Sequence, residues 1–191
     1  DGPEVVSAST PEEVLEGETD CLAFVERLGQ AADGRYYNMR GRDITEWTSP
    51  LDCAAELARR KGIPVVAIGD GGNEAGMGTL AESLKGLVPD FGSCLCSVES
   101  DVCLPVDVSN WGCYAVTALL SGMGGRWLGH SPLEESAMLE AIVNSGGVDG
   151  ATRKRLPTVD GFTAEENLAV VENVLRAWVD ACPAGEASFS S

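Results

Sequence analysis

The sequence is poor in positive charge. Thirteen lysines and arginines stand against 30 aspartates and glutamates, which gives a net charge of -17 over 191 residues. A field of that sign repels phosphate backbones and anionic lipid surfaces, so nucleic acid and membranes are not expected as partners. Long apolar runs are also missing, since no stretch approaches the roughly 18 residues that a membrane-spanning helix needs. Most of the acidic side chains are expected on a solvated surface, which leaves a minority for a cation or substrate site.

A starting methionine, a secretory signal and paired cysteine motifs are missing as well. No basic segment followed by an apolar one opens the chain, which is expected to be a fragment or a processed product. Seven cysteines favour free thiols in a reducing compartment, the cytoplasm or, in a eukaryote, the mitochondrial matrix. A zinc site would need paired C-x-x-C spacing, which Cys94, Cys96, Cys103 and Cys113 do not provide, so buried inert cysteines are expected.

The hydrophobic pattern predicts an α/β domain. Residues 63–68 form a β-branched apolar run that is typical of a strand buried on both faces of a parallel sheet, and residues 21–25 are expected to form another buried strand. Helix starts are indicated at Ser49, Ser131 and Thr163, each followed three residues later by an acidic residue. The predicted fold is a single-domain, three-layer α/β structure with a mainly parallel or mixed central sheet flanked by helices.

The domain is expected to have flanking segments and one long internal loop. Residues 1–19 are predicted to form an extended acidic lead-in, residues 20–182 the α/β domain, and residues 183–191 a flexible tail. Residues 29–50 lack periodicity and are predicted to form a long loop, which in a compact domain indicates a functional or a disordered segment. The other predicted elements are helices at 50–61, 79–87, 111–120, 132–144 and 164–181 and short strands at 94–98 and 102–106.

The segment Gly69–Gly76 carries two carboxylates and four glycines directly after a predicted buried strand. Ligands bind at the carboxyl ends of the strands in open α/β sheets, and glycines let the backbone approach a ligand closely. Asp70, Asn73 and Glu74 offer hard oxygen ligands suited to Mg, Mn or Ca. A phosphate cradle is the competing ligand-binding interpretation, but the segment lacks the Lys-Ser/Thr of a P-loop and its carboxylates would repel phosphate. A structural alternative also stays open, in which Asp70 caps the next helix.

The loop at residues 31–43 concentrates three arginines in an otherwise acidic chain. Guanidinium groups bind carboxylates and phosphates in a bidentate manner, so Arg35 and Arg40 are candidates for holding an anionic substrate. The alternative is a surface loop that pairs its own charges, Arg42 with Asp43 for instance.

Polar residues also stand at a second predicted junction between a strand and a helix. Asp107, Ser109 and Asn110 follow the strand predicted at 102–106, and capping of the next helix would explain them, although they also suit a ligand-facing edge. His130 is the single histidine and lies directly before a capping serine. That placement is typical of a structural histidine, and a role as an acid or base stays open.

Four strings resemble those of the D-glutamate cyclase-like family. They are A-A-D-G-R-Y-Y-N-M-R-G at 31–41, I-G-D-G-G-N-E-A-G-M-G at 68–78, S-N-W-G-C-Y-A at 109–115, and H-S-P leading to G-G-V-D-G within 130–150. The likeness runs from about Cys21 to the last predicted helix, with the strings in matching order. Family members carry an additional N-terminal α/β segment with its own acidic, glycine-rich motif, and this segment is not found here. The resemblance therefore implies that the chain is truncated or lacks part of the site.

The resemblance implies a lyase that closes D-glutamate to 5-oxo-D-proline with loss of water, assisted by a divalent metal such as Mg, Mn or Ca. Two rival interpretations stay open: a metal-dependent hydrolase of a phosphorylated small molecule, and a non-catalytic module that binds a metabolite. The expected partner is a small anionic metabolite, with a homo-oligomer as an open alternative. The residues implied are Asp70, Glu74 and Asp107 for metal binding or general-base work, Asn73, Asn110, Gly71 and Gly72 for orienting substrate, and Arg35 and Arg40 for holding its carboxylate.

Overall fold

The computed structural model describes residues 4–182 and divides the chain into two compact units, at the junction of Ser109 and Asn110. The first unit contains a sheet of three parallel strands with helices beside it, which confirms the predicted α/β fold. The predicted tail at 183–191 lies outside the described residues, and the domain boundaries at 20–182 stay a prediction. Within residues 4–182, no helix has both the length and the apolar character needed to cross a membrane.

Helices and strands alternate along the first unit, and the regular elements of the second unit, as far as residue 182, are helices. The strands are β1 (Leu22–Val25), β2 (Val65–Gly69) and β3 (Val102–Pro105). The α-helices are α1 (Pro11–Val14), α2 (Ala54–Arg60), α3 (Ala81–Leu87), α4 (Ser109–Gly124), α5 (Pro132–Asn144) and α6 (Ala164–Ala181). Short 3-10 helices lie at Thr45–Trp47, Leu51–Cys53, Gly78–Leu80 and Pro89–Cys94.

The sheet has the strand order β1-β2-β3, with Val25 opposite Ile68 and Gly69 opposite Pro105. The central strand β2 is buried along most of its length, as its run of apolar residues predicts. The strand predicted at 21–25 is present as β1, but the prediction that it is buried holds for one face only, because its residues alternate between buried and exposed positions. Phe24 is 5% exposed whereas Val25 is 42% exposed, so only one face of this edge strand is covered.

The core of the first unit lies between the sheet and the helices α1 and α2. Leu15, directly after α1, is 2% exposed and packs in one cluster with Phe24 and Ala58. The prediction of an extended lead-in is therefore wrong for this part of residues 4–19. Proline in the first turn and the Thr10 hydroxyl, which accepts a hydrogen bond from the backbone N–H of Glu13, are the local reasons for the helical turn.

Two further predicted elements differ from the structure. Ser49 does not cap a helix: Pro50 precedes the 3-10 turn Leu51–Cys53, and no side chain caps that turn. The strand predicted at 94–98 is also wrong, because the backbone enters this region from a 3-10 helix and makes only an isolated bridge, Cys96 with Ala31. Apolar residues here are buried by packing rather than by a strand ladder, a difference that a short apolar run cannot reveal.

In the second unit, α5 packs against α6, and both helices begin with the predicted capping box. The hydroxyl of Ser131 accepts from the backbone N–H of Glu134, and Thr163 does the same for Glu166. The glutamate of each pair accepts hydrogen bonds in return, and these bonds lower the carboxyl pKa of both glutamates. Helix α4 is longer than the predicted 111–120.

The seven cysteines are all free thiols. Cys94 and Cys96 are buried as predicted, and burial raises the pKa of Cys96 to about 11, which keeps this thiol protonated and unreactive. Cys103 and Cys113 are only half-buried, so the prediction of buried cysteines is confirmed in full for Cys94 and Cys96 alone; Cys21 and Cys53, to which it did not apply, are exposed.

Candidate active site

Three carboxylates meet at the carboxyl edge of the sheet. Glu26 directly follows β1, Asp70 directly follows β2, and Glu74 lies four residues further along the glycine-rich turn. Each offers one oxygen, and these oxygens all lie within 4.8 Å of one another. Parallel strands bring their carboxyl ends to one edge, and the backbone N–H of Glu26 donates to the carbonyl of Ile68 at 3.3 Å. The strand register thus places the first two carboxylates side by side.

The Glu74 carboxylate is held in one orientation by the turn that carries it. Its Oε1 accepts from the N–H of Gly71 at 3.0 Å, and its Oε2 accepts from the N–H of Gly72 at 2.8 Å. The side chain is 3% exposed, and a Cβ added to Gly69 would lie 2.8 Å from its Oε2. Glycine at 69 therefore leaves the space that the buried carboxylate occupies. Two backbone donors therefore fix the orientation of the Glu74 carboxylate at this edge of the sheet.

The backbone of the turn is tied to the segment that follows β1. The N–H of Ala75 donates to the carbonyl of Arg27 at 2.6 Å, and the N–H of Gly29 donates to the carbonyl of Asn73 at 2.9 Å. Asp70 does not cap the next helix, since the 3-10 helix Gly78–Leu80 has no side-chain cap. The structural alternative for Asp70 is therefore wrong, and the turn serves to hold Glu74 beside the strand ends.

Glu26 is the site residue that sequence reasoning missed. The Ser109 hydroxyl donates to its Oε1, and its backbone has a φ of 54°. Positive φ is uncommon for a residue with a side chain and costs free energy, so packing around the end of β1 enforces it. The available signal was the position of Glu26 at the end of a predicted strand. No glycine-rich motif drew attention to this position.

Asn73 precedes Glu74 in the glycine-rich turn and carries a buried amide oxygen. The residue is 2% exposed, and its Nδ2 donates to the carbonyl of Tyr37 at 2.8 Å. Its Oδ1 is buried without a hydrogen-bond partner. A Cβ added to Gly71 would lie 2.8 Å from this Oδ1, which places the oxygen against the backbone that binds Glu74. Buried acceptors are rarely left unpaired, so this amide oxygen is suited to bind a cation or a substrate donor.

The loop at 31–43 covers the glycine-rich turn. A Cβ added to Gly71 would lie 2.1 Å from the Sδ of Met39, so Met39 rests directly on this glycine. Arg35 pairs with Asp43 at 3.2 Å, and both side chains are largely exposed. The loop does pair its own charges, but the partner of Asp43 is Arg35 rather than the predicted Arg42. A role for Arg35 or Arg40 in holding carboxylate stays a prediction.

The remaining predicted residues lie outside the three-carboxylate group. Asp107 is exposed, two residues beyond the end of β3, and among the described residues the group contains Glu26 where the prediction had Asp107. Asn110 is exposed and begins the second unit. The functional roles predicted for both stay predictions.

The donor set fits a hard divalent cation. Carboxylate and amide oxygens are the ligands that Mg, Mn and Ca prefer, and ligands on opposite sides of such a cation lie about 4–5 Å apart. The mutual separations of up to 4.8 Å match that range. Three carboxylates at this spacing also repel one another unless a cation or a proton offsets their charge. The geometry thus supports a cation site made of Glu26, Asp70 and Glu74.

Comparisons with known proteins agree with the four resembling strings. A family model described as D-glutamate cyclase-like, C-terminal, matches residues 4–175. The human protein D-glutamate cyclase, mitochondrial, is 40% identical over 102 residues. That alignment covers 53% of this chain and 17% of the human protein. The aligned part of the chain therefore spans less than a fifth of this curated relative.

Proposed function

The chain belongs to the D-glutamate cyclase-like family, and from this premise we propose that it closes D-glutamate to 5-oxo-D-proline with loss of water. The observation that carries the proposal is the group formed by Glu26, Asp70 and Glu74 at the carboxyl edge of the sheet. Ligands of open α/β sheets bind at that edge. The family name and the position of the group support the same small, polar substrate.

Ring closure moves two protons and breaks one carbon–oxygen bond. The substrate ammonium loses two protons, its nitrogen bonds to the carbon of the side-chain carboxylate, and one oxygen of that carboxylate takes both protons and leaves as water. The amine attacks only after it loses its first proton, so a carboxylate must accept this proton. Glu26 and Asp70 are more exposed than Glu74, so they are the groups that reach the ammonium.

Glu74 and Asn73 have a positioning role in this proposal. Both oxygens of Glu74 already accept backbone hydrogen bonds, so this carboxylate holds its position while the other two exchange protons. The unpartnered oxygen of Asn73 accepts from the substrate or binds the cation. A divalent cation on this group would withdraw charge from the substrate carboxylate and make its carbon electrophilic.

The anionic substrate needs positive charge from the chain itself. Arg40 follows Met39, which rests on the glycine-rich turn, so this arginine is the better candidate for holding the α-carboxylate. Arg35 is engaged with Asp43 and would have to exchange that partner for the substrate. We therefore expect Arg40→Gln to raise KM more than Arg35→Gln does.

The test is formation of 5-oxoproline from D-glutamate by the purified chain, with L-glutamate as the substrate control. Reactions contain EDTA or added Mn or Mg. We expect product from D-glutamate, dependent on the cation and lost in Glu74→Gln. Glu82→Gln is the matched control, because it removes one negative charge from a side chain that is 87% exposed.

Three outcomes would argue against parts of this proposal. Product that forms equally well in EDTA would remove the cation from the mechanism. Turnover of phosphate esters without turnover of D-glutamate would favour the hydrolase. Saturable binding of D-glutamate with no turnover under any condition would favour a metabolite-binding module. A reducing compartment, the cytoplasm or the mitochondrial matrix, is proposed as the site of action.

A further inference from the structure

Ser109, the first residue of α4, contacts the acidic group at the carboxyl edge of the sheet. The residue is 1% exposed, and its hydroxyl donates to Oε1 of Glu26, which lies 83 residues earlier in the chain. A hydroxyl has one hydrogen to donate, and Ser109 gives it to this carboxylate. Both residues belong to the first unit. The hydroxyl therefore joins the start of α4 to the end of β1.

The Glu26 side chain has less support from the chain than the Glu74 side chain has. Glu74 is buried, and its carboxylate accepts from two backbone N–H groups of its own turn. Glu26 is exposed, and among residues 4–182 its carboxylate accepts from one donor, the Ser109 hydroxyl. An exposed glutamate samples several rotamers unless a contact holds it, and ordering such a side chain costs entropy. The orientation of the Glu26 carboxylate thus depends on Ser109.

The backbone at Glu26 is a second sign that the surrounding structure imposes the direction of this side chain. Its φ of 54° lies in the left-handed region, which is unfavourable for a residue with a Cβ. Hydrogen bonds hold the backbone on both sides, since the N–H of Glu26 donates to the carbonyl of Ile68 and the carbonyl of Arg27 accepts from the N–H of Ala75. The backbone therefore sets the direction of the side chain, and Ser109 fixes its end.

We propose that Ser109 is a positioning residue, which holds the Glu26 carboxylate in the geometry that cation binding and proton acceptance need. The inference rests on the proposed function, because Glu26 acts there as a member of the three-carboxylate group. A carboxylate has lone pairs on both oxygens, so Glu26 binds a cation while it accepts from Ser109. The hydroxyl is neutral, so it orients the carboxylate without offsetting the negative charge that attracts the cation.

The experiment is a titration of the purified chain with Mn, in which electron paramagnetic resonance measures the free ion and no turnover is needed. Loss of a hydrogen-bond partner of a metal ligand costs about 10- to 100-fold in metal affinity, so we expect Ser109→Ala to lower Mn affinity about 10-fold. Ser109→Thr keeps the hydroxyl, and its Mn affinity should stay close to that of the unmodified chain. Titration up to millimolar Mn covers the variants that bind weakly.

A control and a double-mutant cycle separate positioning from a structural role. Ser121→Ala is the matched control, because it removes the hydroxyl of another buried serine of α4, one that donates to the carbonyl of Thr117. It should leave Mn affinity unchanged. In the cycle, Ser109→Ala is added to Glu26→Gln. The further loss of Mn affinity should be much smaller than in the unmodified background, because the charge that Ser109 orients is already absent.

Each result decides a separate point. Equal Mn affinity in Ser109→Ala and the unmodified chain would overturn the positioning role and leave the proposed cyclisation untouched. The same fold-loss in both backgrounds of the cycle would assign Ser109 a structural role only, and this comparison decides the question even if Ser109→Thr fails to fold. No Mn binding by the unmodified chain would overturn the positioning role together with the cation site. The expected Mn affinities without any 5-oxoproline would uphold the positioning role and refute the proposed reaction.

Discussion

Removing one carboxylate of the group should have opposite effects on stability with and without a cation. The change is Glu26→Gln, which keeps an oxygen for the Ser109 hydroxyl and removes one negative charge. Without a cation, repulsion between two charges 4 Å apart ranges from about 1 kcal/mol in bulk water to about 4 kcal/mol at an effective dielectric of 20. Glu26 is exposed, so the repulsion between its carboxylate and its neighbours lies near the lower value. The metal-free variant should thus be at least as stable as the unmodified chain.

With a cation bound, the unmodified chain should be more stable than Glu26→Gln. At 100 times its Kd, a ligand that binds only the folded state stabilises it by about 2.7 kcal/mol. For a chain of this length, each kcal/mol raises the Tm by about 2–4 °C, so saturating Mn should raise the Tm by roughly 5–10 °C. Glu26→Gln removes a ligand and should lose most of that rise.

Thermal unfolding in EDTA and in a series of Mn concentrations measures both effects. Glu82→Gln serves as the control, because its exposed side chain changes charge by the same amount outside the group. Equal rises in Tm for the unmodified chain and Glu26→Gln would refute the inference that Glu26 belongs to the cation site. A Tm that does not respond to Mn in the unmodified chain would refute the site altogether.

Four other substitutions test the fold. Gly76→Ala should unfold the first unit, since Gly76 has a φ of 92° and an added Cβ would lie 2.3 Å from the side chain of a β2 alanine. Gly86→Ala lies in α3, with no atom within 4 Å of the added Cβ, and should instead stabilise the folded chain by about 0.5–1 kcal/mol. Urea unfolding of both glycine variants measures this contrast in stability. Tyr36→Phe removes a donor 2.5 Å from the fully buried Asp52 and should cost about 1–3 kcal/mol in urea unfolding, a result that an unchanged midpoint would contradict. Burial of Asp149 opposes ionisation, but one hydroxyl and three backbone donors outweigh burial and lower its pKa to about 2 from 3.8. The Asp149 carboxylate therefore stabilises the folded state above about pH 4, and that contribution is lost as the pH falls towards 2. Plots of unfolding free energy against pH should be flatter for Asp149→Asn over that range, and parallel plots for the variant and the unmodified chain would contradict this.

The parts of the fold that depend only on residues close together in the sequence could be predicted from it. The capping boxes at Ser131 and Thr163 need only hydrogen bonds between residues three apart, and both occur as predicted. The β-branched run of β2 predicted a strand, and the glycine-rich turn after it predicted where Asp70 and Glu74 would lie. In each case the groups that interact lie within a few residues of one another in the sequence.

Tertiary structure decided the rest, because those contacts join residues far apart in the chain. Glu26 joins the acidic group only because β1 pairs in register with β2, which no local pattern reports. Asp43 pairs with Arg35 rather than Arg42 because the loop folds back on itself. His130 gains Glu135 as a neighbour only through the start of α5 and the packing that buries it. The sequence by itself thus determined the elements and the acidic turn, whereas strand register and burial determined which polar groups meet.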